Sequence, residues 1–263
     1  KRGGVFPKLW ALRLEKAVLK RFDRVSSISK TMVQKLADKG LATEKIVYLP
    51  NWVDPDLIKP SSRLNPLRQE LGLSHDDQVV LYSGSIGRKQ GLDLVLQAAD
   101  RLRHSPAPLV FLFVGDGCGL IDLKQRATEL GLTPDRVRFA PLQPVERLND
   151  LLNLADLHLV LLSSGMGDAV LPSKLKSIMA AAGTAIVSVE PETELETLIT
   201  RNFLGYPVLP GDSKALAAAI SHLLVSPDEK KKLGLSARRH AVEHLATDAV
   251  LHNFLTNCRI LMN

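Results

Sequence analysis

Cysteine is nearly absent from this 263-residue sequence, with Cys118 and Cys258 the only two. Their separation excludes a disulfide framework and the paired spacing of a zinc site, and it fits a reducing compartment with both as ordinary buried thiols. The seven histidines are scattered without a ligand spacing, so no metal is expected. His158, inside an apolar run, reads as a satisfied core residue. No apolar run approaches the roughly 20 residues that a membrane-spanning helix needs. No signal peptide opens the chain, which starts at Lys1 and reads as a cytoplasmic fragment whose own N-terminus lies upstream. Aromatic residues make up 5% of the chain, and no basic stretch is interleaved with them. That pattern excludes the stacking platforms of single-strand nucleic-acid binders.

What is present is apolar material, 45% of the residues, enough for a full core and part of a second. The net charge of +6 is uneven. Residues 1–48 hold twelve Lys/Arg against four Asp/Glu, so of the total 34 against 28 the remainder holds 22 against 24. Basicity confined to one end argues against a general nucleic-acid protein. Within that end, a helical stretch over 7–22 puts Trp10, Leu14 and Val18 on one face and Arg13, Lys16, Lys20 and Arg21 elsewhere. Such a face packs on the core of its own lobe or lies near anionic headgroups, and for the helix itself packing is the expectation.

From residue 78 onward, short β-branched runs alternate with helical periods. The runs are QVVLYSG (78–84), PLVFLFVGDG (108–117), RVRFAPL (136–142), DLHLVLLSS (156–164) and TAIVSVE (184–190). Helical patterns follow near 89–103, 119–131, 144–154, 172–182 and 193–200. Continuous apolar runs mark strands covered on both faces, and five strand–helix units predict a doubly wound parallel α/β sheet. Three further helices are expected near 212–225, 227–244 and 246–261. Upstream, a strand is expected at 24–29 and a helix at 31–39. Four prolines in 45–66 then mark a connector.

Two stretches carry the candidate chemistry. SGSIGRKQGLD (83–93) ends the first strand with Gly84, Gly87 and Gly91, which permit close backbone approach, and adds Arg88 and Lys89. That suits a diphosphate, although plain tight turns use the same glycines; it is neither a Walker A loop nor Gly-x-Gly-x-x-Gly. VGDGCG (114–119) ends the second strand, and there Asp116 reads as a helix cap. Two prolines frame Leu142 in FAPLQP (139–144), a rim for a flat base or only a turn. In DAVLPSKLKSIMAAAG (168–183), Pro172 fits the first turn of a helix and Ser173 can satisfy its orphan N–H groups. Lys174 then opposes the helix dipole at a cost of a few tenths of a kcal/mol upward, a sign that a bound phosphate would reverse; a solvated surface lysine is the other reading. Loops at the carboxyl ends of a doubly wound sheet border one crevice, so Lys89 and Lys174 are expected to face one ligand from two sides. Asp168 and Glu194 at helix starts read as caps.

ISKTMVQKLADKG, KIVYLPNWVD, VVLYSGSIGRKQGLD, FLFVGDG, RVRFAPLQP, LADLHLVLLSS, LPSKLKSIMAAAG and LGYPVLPGDSKALAAAISHLL occur in one order with appropriate spacing. Together they resemble the retaining glycosyltransferases of family 4, of GT-B fold, and within them the colanic-acid and exopolysaccharide type. The resemblance implies a Rossmann-like donor lobe over 67–245 and a connector over 51–66. It implies a truncated remnant of the acceptor lobe over 1–50 and a returning helix over 246–263.

The resemblance also implies a nucleoside-diphosphate sugar, UDP or GDP linked, as substrate, with no cofactor or metal. The acceptor is a saccharide or lipid-linked oligosaccharide met at a peripheral membrane surface. Carried over by position, Gly84, Ser85 and Lys89 line the donor diphosphate, and Leu142 meets the base through its backbone. The 172–177 turn, with Pro172, Ser173, Lys174 and Ser177, holds diphosphate, ribose and sugar. Lys89, Lys174 and Arg88 stabilise the leaving diphosphate. The chain departs from the family where many relatives carry Arg at the place of Ser85, a Glu pair at the places of Ala169 and Ser177, and Gly-Lys/Arg-Pro at Ala182-Gly183-Thr184. Sugar-nucleotide 2-epimerases share the fold, and a non-catalytic nucleotide-sugar binding module is the third reading.

Overall fold

Ser29 closes the first β-branched run and opens a helix by accepting a hydrogen bond from the Met32 N–H. Around it the computed structural model builds α1 (Val5–Leu19), β1 (Val25–Ser27), α2 (Lys30–Asp38) and β2 (Ile46–Tyr48). Residues 5–87, 90–162 and 172–260 are described. The chain divides into two units, Lys1–Trp52 with Thr247–Asn263 and Val53–Ala246. In the first, β1 pairs parallel to β2 with Val25 opposite Ile46, and the chain's last helix, α11 (Thr247–Ile260), belongs to the same unit. On α1, Glu15 pairs with Lys39 at 2.5 Å. The face expected to pack on a core stays outside: Trp10 is 70% and Leu14 67% exposed. The ion pair commits the Glu15 side of α1 to the neighbourhood of α2.

The second unit carries the parallel sheet. Its strands are β3 (Gln78–Ser83), β4 (Leu109–Val114), β5 (Val137–Ala140), β6 (Leu157–Val160), β7 (Ala185–Ser188) and β8 (Tyr206–Val208), in spatial order β5-β4-β3-β6-β7-β8. The helices are α3 (Pro66–Glu70), α4 (Asp93–Arg101), α5 (Leu120–Glu129), α6 (Leu148–Asn153), α7 (Ser173–Ala180), α8 (Glu194–Asn202), α9 (Ser213–Leu224) and α10 (Pro227–His244). Alternate residues of β3 serve opposite faces. Val80 and Tyr82 join Leu96, Phe111, Phe113 and Ile220 in one core, while Val79 and Leu81 join Leu67, Leu112, Leu151 and Leu154 in another. A third core gathers Leu152, Val160, Ile178, Val187 and Ala241. Both faces are therefore dry, which is why the runs read as continuously apolar.

The sixth strand was hidden because Tyr206-Pro207-Val208 is short and carries a proline, tolerated here because β8 is the sheet edge. Helix α3 escaped too, with Asn65 accepting from the Arg68 N–H and Pro66 in its first turn. Arg68 is buried and donates to the carbonyls of Ser74, Leu154 and Asp77 at 3.0, 2.9 and 2.5 Å.

The proline-rich segment is anchored from Val53 onward. The Val53 N–H donates to Leu245, and Arg238 reaches the carbonyls of Pro55 and Ile58 as well as Ala180. Arg63 grips Asp156 through both carboxylate oxygens at 2.8 and 2.9 Å. Among the described residues no helix is long and apolar enough to cross a membrane.

Two expectations about buried groups need correction. Cys118 is exposed and Cys258 half-buried, because Cys118 falls in the turn after β4 rather than in the strand. His158 is buried, yet among the described residues neither ring nitrogen has a hydrogen-bond partner in good geometry. Burial pulls its pKa down to about 4, against smaller opposing effects of the Leu152 backbone and Asp156.

Candidate functional site

The two glycine-rich turns at the carboxyl ends of β3 and β4 are joined backbone to backbone. The Gly84 N–H donates to Val114 at 2.9 Å, the Ile86 N–H to Asp116 at 2.8 Å, and the Gly119 N–H to Ile86 at 2.9 Å. Glycine is required opposite those bonds. A Cβ at Gly115 would lie 1.9 Å from the Gly84 carbonyl oxygen and one at Gly117 2.4 Å from that of Ile86, with φ at +153° in both. The VGDG turn is thus the rail that holds the SGSIG turn in place. Asp116 does not cap α5; it accepts from the Gly117 N–H, and the α5 N-cap position is Gly119.

Above this turn sits Lys174. Its Nζ lies 4.0 Å from the centroid of the Tyr82 ring, and a Cβ added at Gly84 would stand 3.0 Å from it. Among the described residues Lys174 makes no ion pair, and burial lowers its pKa to about 8. Pro172 occupies the N-cap position of α7 with φ −56° and ψ 136°, and among the described residues no side chain caps the helix. Ser173 therefore does not take the expected N-cap place, from which its hydroxyl would accept from the first-turn N–H groups, because it is itself the first helical residue. The positive end of the helix remains available beside the lysine.

These elements border a cleft of about 370 Å³, lined by Ser83, Gly84, Ser85, Leu142, Lys174 and Ser177 among others. Leu148, Leu151 and Leu152 form an apolar wall, and Leu142 stands 69% exposed at the rim. Lys174 is the one charged side chain in the described lining, and no carboxylate shares it. The arrangement suits an anion with an apolar, flat attachment.

Of the residues expected at the site, Gly84, Ser85, Leu142, Ser173, Lys174 and Ser177 meet in this cleft. Pro172 sits at the helix entrance without lining it. Gly87 and Gly91 line a separate hollow with Asp93 and Arg126, between α4 and α5. Arg88, Lys89, Asp168 and Ala169 lie outside the described residues. Glu194 follows the N-cap Thr193, whose hydroxyl accepts from the Glu196 N–H. Sequence reasoning missed Tyr82; the signal was a tyrosine ending a buried strand, whose hydroxyl needs a partner. Among the described residues no group of three or more His, Cys, Asp or Glu could hold a metal ion.

The fold with this six-stranded parallel sheet matches that of solved GT-B glycosyltransferases. Sucrose-phosphate synthase of Thermosynechococcus elongatus superposes with a TM-score of 0.76 at 22% identity, over 97% of this chain and 62% of that one. HepE of Anabaena, solved with UDP and glucose, gives 0.76 at 20% identity, over 95% of this chain and 66% of that one. Residues 65–240 match the family described as Glycosyl transferases group 1, and the chain belongs to that family. It is 38% identical over 262 residues to WcaI of Escherichia coli (strain K12), a protein whose name places it in colanic acid biosynthesis as a glycosyl transferase. The match covers 98% of this chain and 62% of WcaI, so the chain spans less than two thirds of that relative.

Proposed function

We propose that this chain binds the donor for a glycosyltransferase that moves a sugar from a nucleoside diphosphate to a saccharide or lipid-linked acceptor, with retention of configuration. One observation carries the reading: among the described residues, Lys174 presents an ammonium without a carboxylate partner in the cleft, beside a helix start whose N-cap residue is a proline with no capping side chain. As the glycosidic bond to the donor breaks, negative charge collects on the departing diphosphate. Lys174 and the first-turn N–H groups of α7 stabilise that charge. Lys89 and Arg88, assigned from sequence, add charge from the neighbouring turn. Leu142 and the leucine wall receive the base, and Ser85, Ser173 and Ser177 offer hydroxyls to phosphate and ribose. The UDP bound by HepE supports a pyrimidine donor, and the likeness to WcaI supports a role in the assembly of a polysaccharide of the colanic acid type. A binding screen of UDP, GDP and their sugars tests this: saturable binding of a nucleoside diphosphate is expected, and failure of all of them to bind refutes it.

A further inference from the structure

Two independent contacts converge on Tyr82. Its hydroxyl donates to the Ser85 carbonyl at 2.8 Å, inside the turn that borders the cleft, and the face of its ring lies 4.0 Å from Lys174 Nζ. The ring is itself held fast. Tyr82 is 2% exposed, its ring stands 6.2 Å from that of Phe113, and Phe113 stacks on Phe139 at 5.1 Å. Lys174 needs such a support, because a lysine head on a flexible stem has no preferred place without a partner. A carboxylate would fix it but neutralise it. An aromatic face attracts the ammonium and leaves its charge available. Gly84 completes the seat, since any side chain there would press on Nζ.

We propose that Tyr82 is a positioning residue: its ring seats the Lys174 ammonium over the cleft while its hydroxyl fixes the Ser85 carbonyl, so that cation and turn meet a diphosphate as one unit. The proposal rests on the donor-site reading above and adds the residue through which Lys174 acts.

The test is a double-mutant cycle read by calorimetric titration of UDP and GDP into the whole chain, with uridine as a control lacking phosphate. Lys174→Met is expected to weaken diphosphate binding by roughly 10- to 100-fold, as for a charge-assisted contact. Tyr82→Leu is expected to weaken it about tenfold beside Lys174. In the Lys174→Met background the same change alters it less than about twofold, and uridine binding is unchanged in both. A loss of equal size in both backgrounds, or none in either, overturns the role of Tyr82. If Lys174→Met leaves diphosphate binding intact, the donor-site reading itself falls. Should Tyr82→Leu fail to fold, Tyr82→Phe is compared with its near-isosteric trifluorinated ring, which no longer attracts a cation. A loss of about threefold or more on fluorination supports the seat, and equal affinity overturns it.

Discussion

Gly115→Ala perturbs the site from outside its lining, through the backbone of Gly84. The new Cβ would lie 1.9 Å from the Gly84 carbonyl oxygen, and ordinary contact begins at 3.4 Å, so the two turns must part by about 1.5 Å. An opening of that size breaks the 2.9 Å bond from the Gly84 N–H to Val114, worth about 1 kcal/mol net. Alanine is also forced into the φ of +153° found at this position, a strain of about 1–3 kcal/mol. Together these predict a loss of about 2–4 kcal/mol, a large share of the roughly 5–15 kcal/mol that holds a domain folded. Urea denaturation monitored by circular dichroism measures it, with UDP and GDP titration on the same sample below the transition. Binding should weaken together with stability, because the displaced carbonyl belongs to the turn under Lys174. A change below about 0.5 kcal/mol with unaltered nucleotide affinity would refute the idea that the second turn is the rail for the first.

Two predictions concern pH. His158 has a folded pKa near 4, below the usual 6.5, because burial excludes its charged form. The unfolded chain therefore takes up the proton first, and the stability linked to this group is complete above pH 6.5 and lost as pH falls toward 4. Between pH 7 and pH 4.5 that loss is about 2–3 kcal/mol. His158→Leu should flatten this part of the urea midpoint against pH, and an unchanged slope contradicts the assignment. Lys174, lowered by burial to about 8, is charged below that pH and neutral above it. Affinity for UDP or GDP should hold up to about pH 8 and fall about tenfold or more by pH 9.5. The fall should vanish in Lys174→Met; its persistence there would place the titrating group elsewhere.

The parallel sheet was legible because burial on both faces leaves Val79–Tyr82, Leu109–Val114 and Leu157–Val160 as runs apolar throughout but for His158. Helix α10 was legible to the residue, since Pro227 fits the first turn of a helix and the stretch after it holds no second proline. What the sequence concealed depends on tertiary contact. The partner of Gly115 and Gly117 is the backbone of the turn after β3, about thirty residues earlier, so periodicity does not reveal that these glycines serve the other turn. Ser173 looked like a cap because serine commonly caps, yet Pro172 takes that position and leaves the helix start open. Tyr82 looked like one more core residue, and only the fold brings Lys174 over its ring. The outward face of α1 reads as packed from its spacing alone, yet Trp10 and Leu14 on that face stand exposed.

The most direct measurement is a crystal structure of this chain with UDP or GDP bound. The account predicts a diphosphate oxygen about 2.7–3.2 Å from Lys174 Nζ, at the start of α7, with the base against Leu142 and the leucine wall. A nucleotide bound outside the cleft, or inside it with the phosphates turned away from Lys174, would contradict it.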